Sequence, residues 1–480
     1  MDLITVIYIA NLLLALAIIF LERRSPNNVI FWIMALFLLP GVGFFLYIVF
    51  GRRPHRWNRR VLRFEEKERG YARSLSAAGI PGTLEEGADR SRGLLKEQEP
   101  LVRLLQDGGA MLTGGNSVRL ITEGPEMYDL LFEDVRRAKD HIHLEYYVFH
   151  DDAVGNELLS ILIAKAEEGV KVRLLIDDVG ARPSPMMLIE LKARGGQYAR
   201  FYPSHIPGLR WLNLNINYRN HRKIAVIDGQ IGYIGGFNVG EEYIGKDPEL
   251  GHWRDTHMRV EGRGVQSLQR RFLVDWSYSS GEDSISNQSY FPRGDSPGEV
   301  AMQVVSSGPT ERADQVKEAY LKLIASARVS IRIQTPYFVP DRSVIDMLSI
   351  AARSGVDVRI MVPRRKDVPM VHWVSQSYVG EMLVSGVRAY YYENGFLHAK
   401  TIIVDGVVTS IGSANWDIRG FSLNFETNAV IYSDEVGKEH ETIFLRDMES
   451  CTELTKEAYD HRPLSERIKE SVFRLAAPLL

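Results

Sequence analysis

Two runs of almost wholly apolar residues, Leu3 to Phe20 and Val29 to Phe50, open the chain. At about 1.5 Å per residue they reach roughly 27 and 33 Å as helices, enough to cross a hydrocarbon core. The polar link Leu21-Glu22-Arg23-Arg24-Ser25-Pro26-Asn27-Asn28 is short, so residues 1–52 predict a transmembrane helical hairpin, with Pro40, Gly41 and Gly43 interrupting its second helix. Only Met1 and Asp2 precede the first run and the second follows at once, which argues against a cleaved signal peptide. Arg52, Arg53, Arg56, Arg59, Arg60 and Arg63 follow the second run, against Arg23 and Arg24 in the link. The positive-inside rule then puts the N-terminus and the body of the chain in the cytoplasm. Contact of these arginines with anionic headgroups is an equal alternative to a pure topology role.

Residues 53–110 are charged and punctuated by glycine, and read as a linker and lead-in. Beyond them the pattern alternates between helical and strand periods. Met127, Leu130, Leu131 and Val135 share a helix face, Ile142 to Phe149 is strand-like, Leu158, Leu159, Leu162 and Ala166 share another face, and Val170 to Ile176 reads as a buried strand. The same order returns with Val316, Tyr320, Leu323 and Ala327, then Val329 to Gln334, then Val344, Met347 and Ala351, then Val356 to Val362. This predicts a duplicated α/β unit: a first lobe over 111–285 and a second over 298–480, divided within the polar stretch Ser279 to Gly298 that holds Pro292 and Pro297.

A second repeat lies inside the first. Asn220-His221-Arg222-Lys223-Ile224-Ala225-Val226-Ile227-Asp228-Gly229 and Leu397-His398-Ala399-Lys400-Thr401-Ile402-Ile403-Val404-Asp405-Gly406 both read His-x-Lys-x-x-x-x-Asp-Gly. Gly235 and Gly412 stand 14 residues after the respective histidines, and Asn238 and Asn415 stand 17 after. Histidine and lysine two apart on a strand point to one side, and each Asp-Gly predicts a hairpin turn into a second strand, Ile231 to Ile234 and Val407 to Ile411.

Two imidazoles, two ammonium groups and two amides suit a phosphodiester. One neutral histidine attacks phosphorus, the other gives a proton to the leaving oxygen, and the lysines and asparagines hold the non-bridging oxygens. Asp228 and Asp405, at the turns, are candidates for catalytic or for structural roles with equal weight. A lysine beside would-be ligands repels a cation, and no Cys cluster or His-x-x-x-His is present, so no metal is expected.

Composition narrows the partners. The net charge of −3 over 480 residues does not mark a nucleic-acid binder, and the single Cys451 rules out an intramolecular disulfide. Phe201 to Leu214 (with Tyr202, Ile206, Leu209, Trp211 and Leu212) and Met370 to Tyr378 (with Val371 and Trp373) place apolar residues shortly before each motif. They suit an acyl-chain or membrane-facing mouth and equally suit core. The tail Ile468 to Leu480, with Ile468, Val472, Leu475 and Leu479 at helical spacing, reads as a packing helix.

The doubled motif resembles the phospholipase D superfamily, over roughly residues 110 to 480. The resemblance implies two phospholipase D-like lobes forming one shared active site, a covalent phosphohistidine intermediate, and neither metal nor cofactor. The two apolar N-terminal runs, His252-Trp253-Arg254-Asp255-Thr256-His257, Gln334-Thr335-Pro336-Tyr337-Phe338 and Pro478-Leu479-Leu480 are similar to the bacterial cardiolipin synthases. That family implies a multi-pass protein of the bacterial cell membrane that transfers a phosphatidyl group between two phosphatidylglycerols and releases glycerol. Its partners would be phosphatidylglycerol and other anionic phospholipids.

The residues themselves leave a phospholipase D-type hydrolase open, because water or an alcohol can resolve a phosphohistidine. A nuclease and a non-catalytic membrane scaffold fit less well. The expected site is His221, Lys223, Asp228, His398, Lys400 and Asp405 as catalytic residues, with Asn238, Asn415 and Ser413 on the substrate; Ser413 stands where the first copy has Gly236. The resemblance favours His221 as nucleophile and His398 as acid. Asp255 and Glu426, downstream of the respective motifs, are candidates to orient the imidazoles; surface ion pairs are their other reading. Oligomeric state stays open.

Overall fold

The computed structural model describes residues 3–21, 26–47, 89–202, 217–282, 287–292, 297–309, 314–475 and 477. The arginines at 52 to 63, residues 203–214 of the apolar segment before the first motif and residues 22–25 of the N-terminal link lie outside the described residues.

Among the described residues sixteen strands form one sheet. The first lobe supplies β1 (Leu112–Glu123), β2 (His141–Tyr146), β3 (Lys171–Asp177), β4 (Gln197–Phe201), β5 (Lys223–Ile227), β6 (Ile231–Gly235) and β7 (Trp253–Glu261). The second supplies β8 (Val300–Ser307), β9 (Ser330–Gln334), then, after the short β10 (Phe338–Val339), β11 (Asp357–Pro363), β12 (Arg388–Tyr392), β13 (Phe396–Leu397), β14 (Thr401–Val404) and β15 (Val408–Gly412). After β16 (Trp416–Asp417), which pairs with β10 apart from the main sheet, come β17 (Glu426–Tyr432) and β18 (Cys451–Leu454). The order β1-β7-β6-β5-β2-β3-β4 in one lobe returns as β8-β17-β15-β14-β9-β11-β12 in the other, so the expected duplication is present strand for strand. The lobes join where β1 and β8 run antiparallel, with Thr113 opposite Met302.

The unbroken apolar run of β5 follows from helices on both faces. Ile224 and Val226 pack with Leu268 of helix Gly264–Ser280. Ala225 and Ile227 pack with Leu158 and Leu162 of helix Ala153–Glu167 on the other face. A strand covered on both sides loses the apolar–polar alternation of a half-exposed one. Each Asp-Gly pair forms the expected turn with both residues at positive φ: 53° and 65° at Asp228 and Gly229, 54° and 64° at Asp405 and Gly406. This is the I′ geometry that matches the twist of a tight hairpin.

Three expectations change. The stretch 89–110 is not linker: helices Asp89–Glu97 and Glu99–Asp107 send Leu95, Leu101, Val102 and Leu105 into the core of the second lobe. Gln303 ties this lead-in down by donating to the carbonyls of Val102 and Ala110. At the tail, helix Leu464–Arg474 packs on helix Pro369–Val384. However, it leaves Ile468, Val472 and Leu475 exposed at 54%, 57% and 76%, so the periodic apolar residues are not its packing face.

The third correction concerns residues 1–52. Among the described residues no helix is long and apolar enough to cross a membrane. The second run is divided: helix Pro26–Leu38 is 13 residues, about 20 Å, and the chain turns at Gly41 (φ 83°) before the short helix Val42–Leu46. The first helix, Leu3–Leu21, measures about 28 Å against a core of about 30 Å, and its buried Asn11 donates to the carbonyl of Leu36 at 2.8 Å. The two helices do pair, through Ala15, Ile18, Trp32 and Leu36.

Candidate active site

The chain reaches both histidines at a crossing between the lobes. The backbone N–H of His221 donates to the carbonyl of Phe425 at 3.0 Å, and that of His398 donates to the carbonyl of Arg254 at 2.7 Å. Parallel pairing extends each crossing, Asn220 with Phe425 and β13 with the start of β7. The residue after each accepting carbonyl is the carboxylate that the imidazole meets. Glu426 accepts from His221 Nδ1 at 2.9 Å, and Asp255 accepts from His398 Nδ1 at 2.7 Å. The orienting carboxylates are therefore exchanged between lobes. Each lies downstream of one motif and serves the histidine of the other.

The exchange has consequences for protonation. A carboxylate on Nδ1 fixes the tautomer and leaves Nε2 to the cavity. Burial lowers the pKa of His221, and burial together with Lys400 lowers that of His398 to about 3. Both rings are then neutral in the empty site at neutral pH.

Lys223 and Lys400 are fully buried beside the histidines. Each ammonium donates to the carbonyl of its own motif's histidine. Desolvation holds Lys223 down to about 7 and Lys400 to about 8. Both motif histidines and both asparagines line one cavity of about 650 Å³, together with Tyr147, Trp253, Arg219, Arg419 and Glu242. The ring of Tyr147 lies 4.8 Å from that of His221, and Trp253 lies 4.9 Å from His398. Apolar walls come from Val339, Val368 and Val371; the last belongs to the segment expected near the mouth.

The two asparagines are held differently. Asn238 accepts from the N–H of Val148 at 3.1 Å and donates to the Tyr243 hydroxyl at 2.9 Å. Among the described residues the buried Oδ1 of Asn415 has no partner. Ser413 is buried and not among the residues that line the cavity, donating instead to Glu426 while its oxygen accepts from the N–H of Thr427 at 3.0 Å. Its expected place on the substrate is therefore corrected to support of the His221 carboxylate. A Cβ on Gly236 would lie 1.9 Å from Asp255 Oδ1, so only glycine fits in the first copy.

Asp228 and Asp405 are corrected from catalytic to structural. They close the turns at the far ends of β5 and β14. Six or seven strand residues from the imidazoles is roughly 20 Å. The carboxylate of Asp228 accepts from the N–H groups of Lys139, Asp140 and His141, at 2.8 to 2.9 Å. That of Asp405 accepts from Arg328, Val329 and Ser330, over the same range.

Sequence reasoning missed Arg219, Arg419 and Glu242 as cavity residues. A signal was present: Glu242 and Arg419 each stand four residues after the motif asparagine, and Arg219 stands two before His221.

The chain matches the family described as cardiolipin synthase, PLD-like domain, over residues 131–276 and 320–448. Residues 9–52 match the phospholipase D-nuclease N-terminal family. A cardiolipin synthase of Oceanobacillus iheyensis is 44% identical over 475 residues, covering 98% of both chains. The major cardiolipin synthase of Bacillus subtilis is 42% identical over 481 residues, covering 100% of this chain and 99% of its own. Among solved structures, a phosphatidylserine synthase of Haemophilus influenzae aligns with a TM-score of 0.62 at 13% identity, covering 81% of this chain and 100% of its own; this likeness is one of fold.

Proposed function

The chain belongs to the cardiolipin synthase family of the phospholipase D superfamily, a family of phosphatidyltransferases, and from that premise we propose that it joins two phosphatidylglycerols through a phosphohistidine. The observation that carries this is the pair of buried imidazoles facing one cavity, each with Nδ1 held by a carboxylate of the opposite lobe.

His221 Nε2 attacks phosphorus, the glycerol oxygen leaves, and His398 supplies its proton. The lysines hold the non-bridging oxygens as charge builds. A bound phosphodiester anion offsets the two ammonium charges that depress the acid's pKa, so the substrate itself favours the protonated His398. The acceptor hydroxyl then gives its proton back to His398, and its oxygen displaces His221 from phosphorus.

The reaction is read as metal-free, with the lysines as the phosphate's electrostatic partners. Activity in detergent should then persist with excess chelator. Helices Leu3–Leu21 and Pro26–Leu38 keep Leu12, Leu13, Ile30 and Leu38 exposed. Water disfavours such a surface, which supports anchoring at a bilayer with the body on the arginine-rich, cytoplasmic side.

Phosphatidylglycerol in detergent, incubated with the purified chain, should yield cardiolipin and free glycerol. Phosphatidic acid as the main product would replace transfer with hydrolysis. Label trapped on His398 alone after a rapid quench would reverse the two histidines' roles.

A further inference from the structure

The lobes match strand for strand, but the cavity lining differs between its two ends: Arg219, Arg419 and Asp417 stand at one, Glu242 at the other. Counted from the asparagines, Arg419 corresponds to Glu242; counted from the histidines, Arg219 corresponds to Phe396. The backbone brings the two arginines to the same end, beside His221. The carbonyl of Arg219 accepts from Phe425 N–H at 2.8 Å, and that of Arg419 accepts from Asn424 N–H at 2.8 Å. Both guanidinium groups act electrostatically on Tyr147, whose ring touches His221. Arg419 donates to Asn217 Oδ1 at 2.6 Å and to its carbonyl at 2.7 Å, and the buried carboxylate of Asp417 acts on it electrostatically. The neighbouring Asp177 is occupied by the N–H groups of Val179, Gly180 and Asn220. Two buried amide oxygens lining the same cavity, Asn415 Oδ1 and Asn424 Oδ1, have no partner among the described residues.

Charge counting gives this end a use. The donor lipid brings one phosphodiester anion, which the reaction proposed above assigns to Lys223 and Lys400. Asp177 and Asp417 act on these guanidinium groups electrostatically without hydrogen-bonding them, and water and free glycerol bring no anionic group that would. A second phosphoglycerol headgroup brings one phosphate and adjacent hydroxyls, which match planar guanidinium donors and unpaired amide acceptors respectively.

We propose that Arg219 and Arg419 form a second anion subsite that holds the phosphate of the acceptor lipid, with Asn415 and Asn424 accepting from its glycerol hydroxyls. This rests on the transferase reading above. The seated hydroxyl oxygen bonds to phosphorus as the P–Nε2 bond to His221 breaks. The bonding pair returns to that nitrogen and the hydroxyl proton passes to His398. The subsite thus selects a phosphorylated alcohol over water at this step.

The test compares two acceptors on the full-length chain in phosphatidylglycerol–detergent micelles containing labelled glycerol. One readout is cardiolipin; the other is labelled glycerol exchanged into phosphatidylglycerol, whose acceptor has no phosphate. Arg219→Gln and Arg419→Gln should each lower the ratio of cardiolipin to exchange about tenfold, and Arg419→Lys should recover part of it. Should Arg419→Gln fail to fold, Arg219→Gln carries the test. A ratio equal to that of the unsubstituted chain overturns the subsite, whether both products fall together or neither falls. Absence of both products from the unsubstituted chain would overturn the transferase reading, and the subsite with it.

Discussion

Around His221 the buried guanidinium belongs to Arg222, inside the motif; it meets Asp275 at 2.8 Å and Thr427 Oγ1 at 2.9 Å. Around His398 the same motif position is Ala399, and the guanidinium is Arg254, on the strand that crosses it, paired with Asp447 at 2.7 Å. The strand residue facing Arg222 is Phe425, whose ring lies 5.3 Å from the guanidinium carbon. Asp275 and Asp447 come from the helices that follow β7 and β17, at matching places in the two lobes.

The halves thus retain a buried ion pair beside each imidazole but draw the cation from different strands. Duplication preserved a position in space rather than a residue in a motif. Removing either partner of the Arg254–Asp447 pair leaves a buried charge, at a cost of about 3–5 kcal/mol, whereas Asp275 keeps a second ion pair with Arg271 at 2.8 Å when Arg222 is lost. The orienting groups show the same freedom. On one side the short Asp255 fills the space over Gly236, while on the other the longer Glu426 leaves room for Ser413 and takes its hydroxyl.

The crossed pairing makes the strongest demands. His221→Ala and His398→Ala should each reduce kcat by about 10³-fold or more, with the double variant little worse, since the two act on one reaction coordinate. Glu426→Gln and Asp255→Asn should lose about 10²- to 10⁴-fold by freeing the tautomer. Histidine ¹⁵N spectra test the exchange itself. Glu426→Gln should shift the His221 ring signals and spare those of His398; the reverse would restore pairing within each lobe.

A smaller effect should separate Gly236 from Ser413. Gly236→Ser forces its Cβ into the Asp255 carboxylate and should lower kcat about 10²-fold. Ser413→Ala removes one hydrogen bond to a charged group and should cost about tenfold. Equal losses would mean that the two sides are held alike.

Affinity for anions should fall as pH rises. Lys223 and Lys400, depressed by burial to about 7 and about 8, lose their charge through that range in the free protein. Binding of inorganic phosphate by calorimetry should therefore weaken between pH 7 and 9, by at most about tenfold per pH unit for each group. A flat profile would show that these ammonium groups stay charged despite burial.

The least effect on turnover is expected at the turns. Asp228→Ala or Asp405→Ala strands three backbone N–H groups and puts alanine at positive φ, costing about 2–3 kcal/mol of stability. The thermal midpoint should drop while kcat per folded molecule barely changes. A large loss of kcat in a fully folded variant would return the aspartates to the chemistry.

The amino-acid sequence alone determined whatever depends on residues close together in the chain. The doubled His-x-Lys, the Asp-Gly turns and the alternating helix and strand periods were legible because each is a local rule of side-chain direction or backbone conformation. Near neighbours do not disclose which carboxylate meets which imidazole. Spacings of 17 residues from Asn238 to Asp255 and 11 from Asn415 to Glu426 made the lobes look unequal. In the sheet, Gly235 opposite His257 and Gly412 opposite Asn428 bring Asp255 and Glu426 to the same place. Loop length had hidden a register.

Asp228 and Asp405 were ambiguous for a related reason: a carboxylate at a turn reads the same whether its partners are substrate atoms or the N–H groups of a strand some 75 to 90 residues away. Only the tertiary structure decided these pairings, because a hydrogen bond needs two groups within about 3 Å, and which groups meet is set by strand order across the whole sheet.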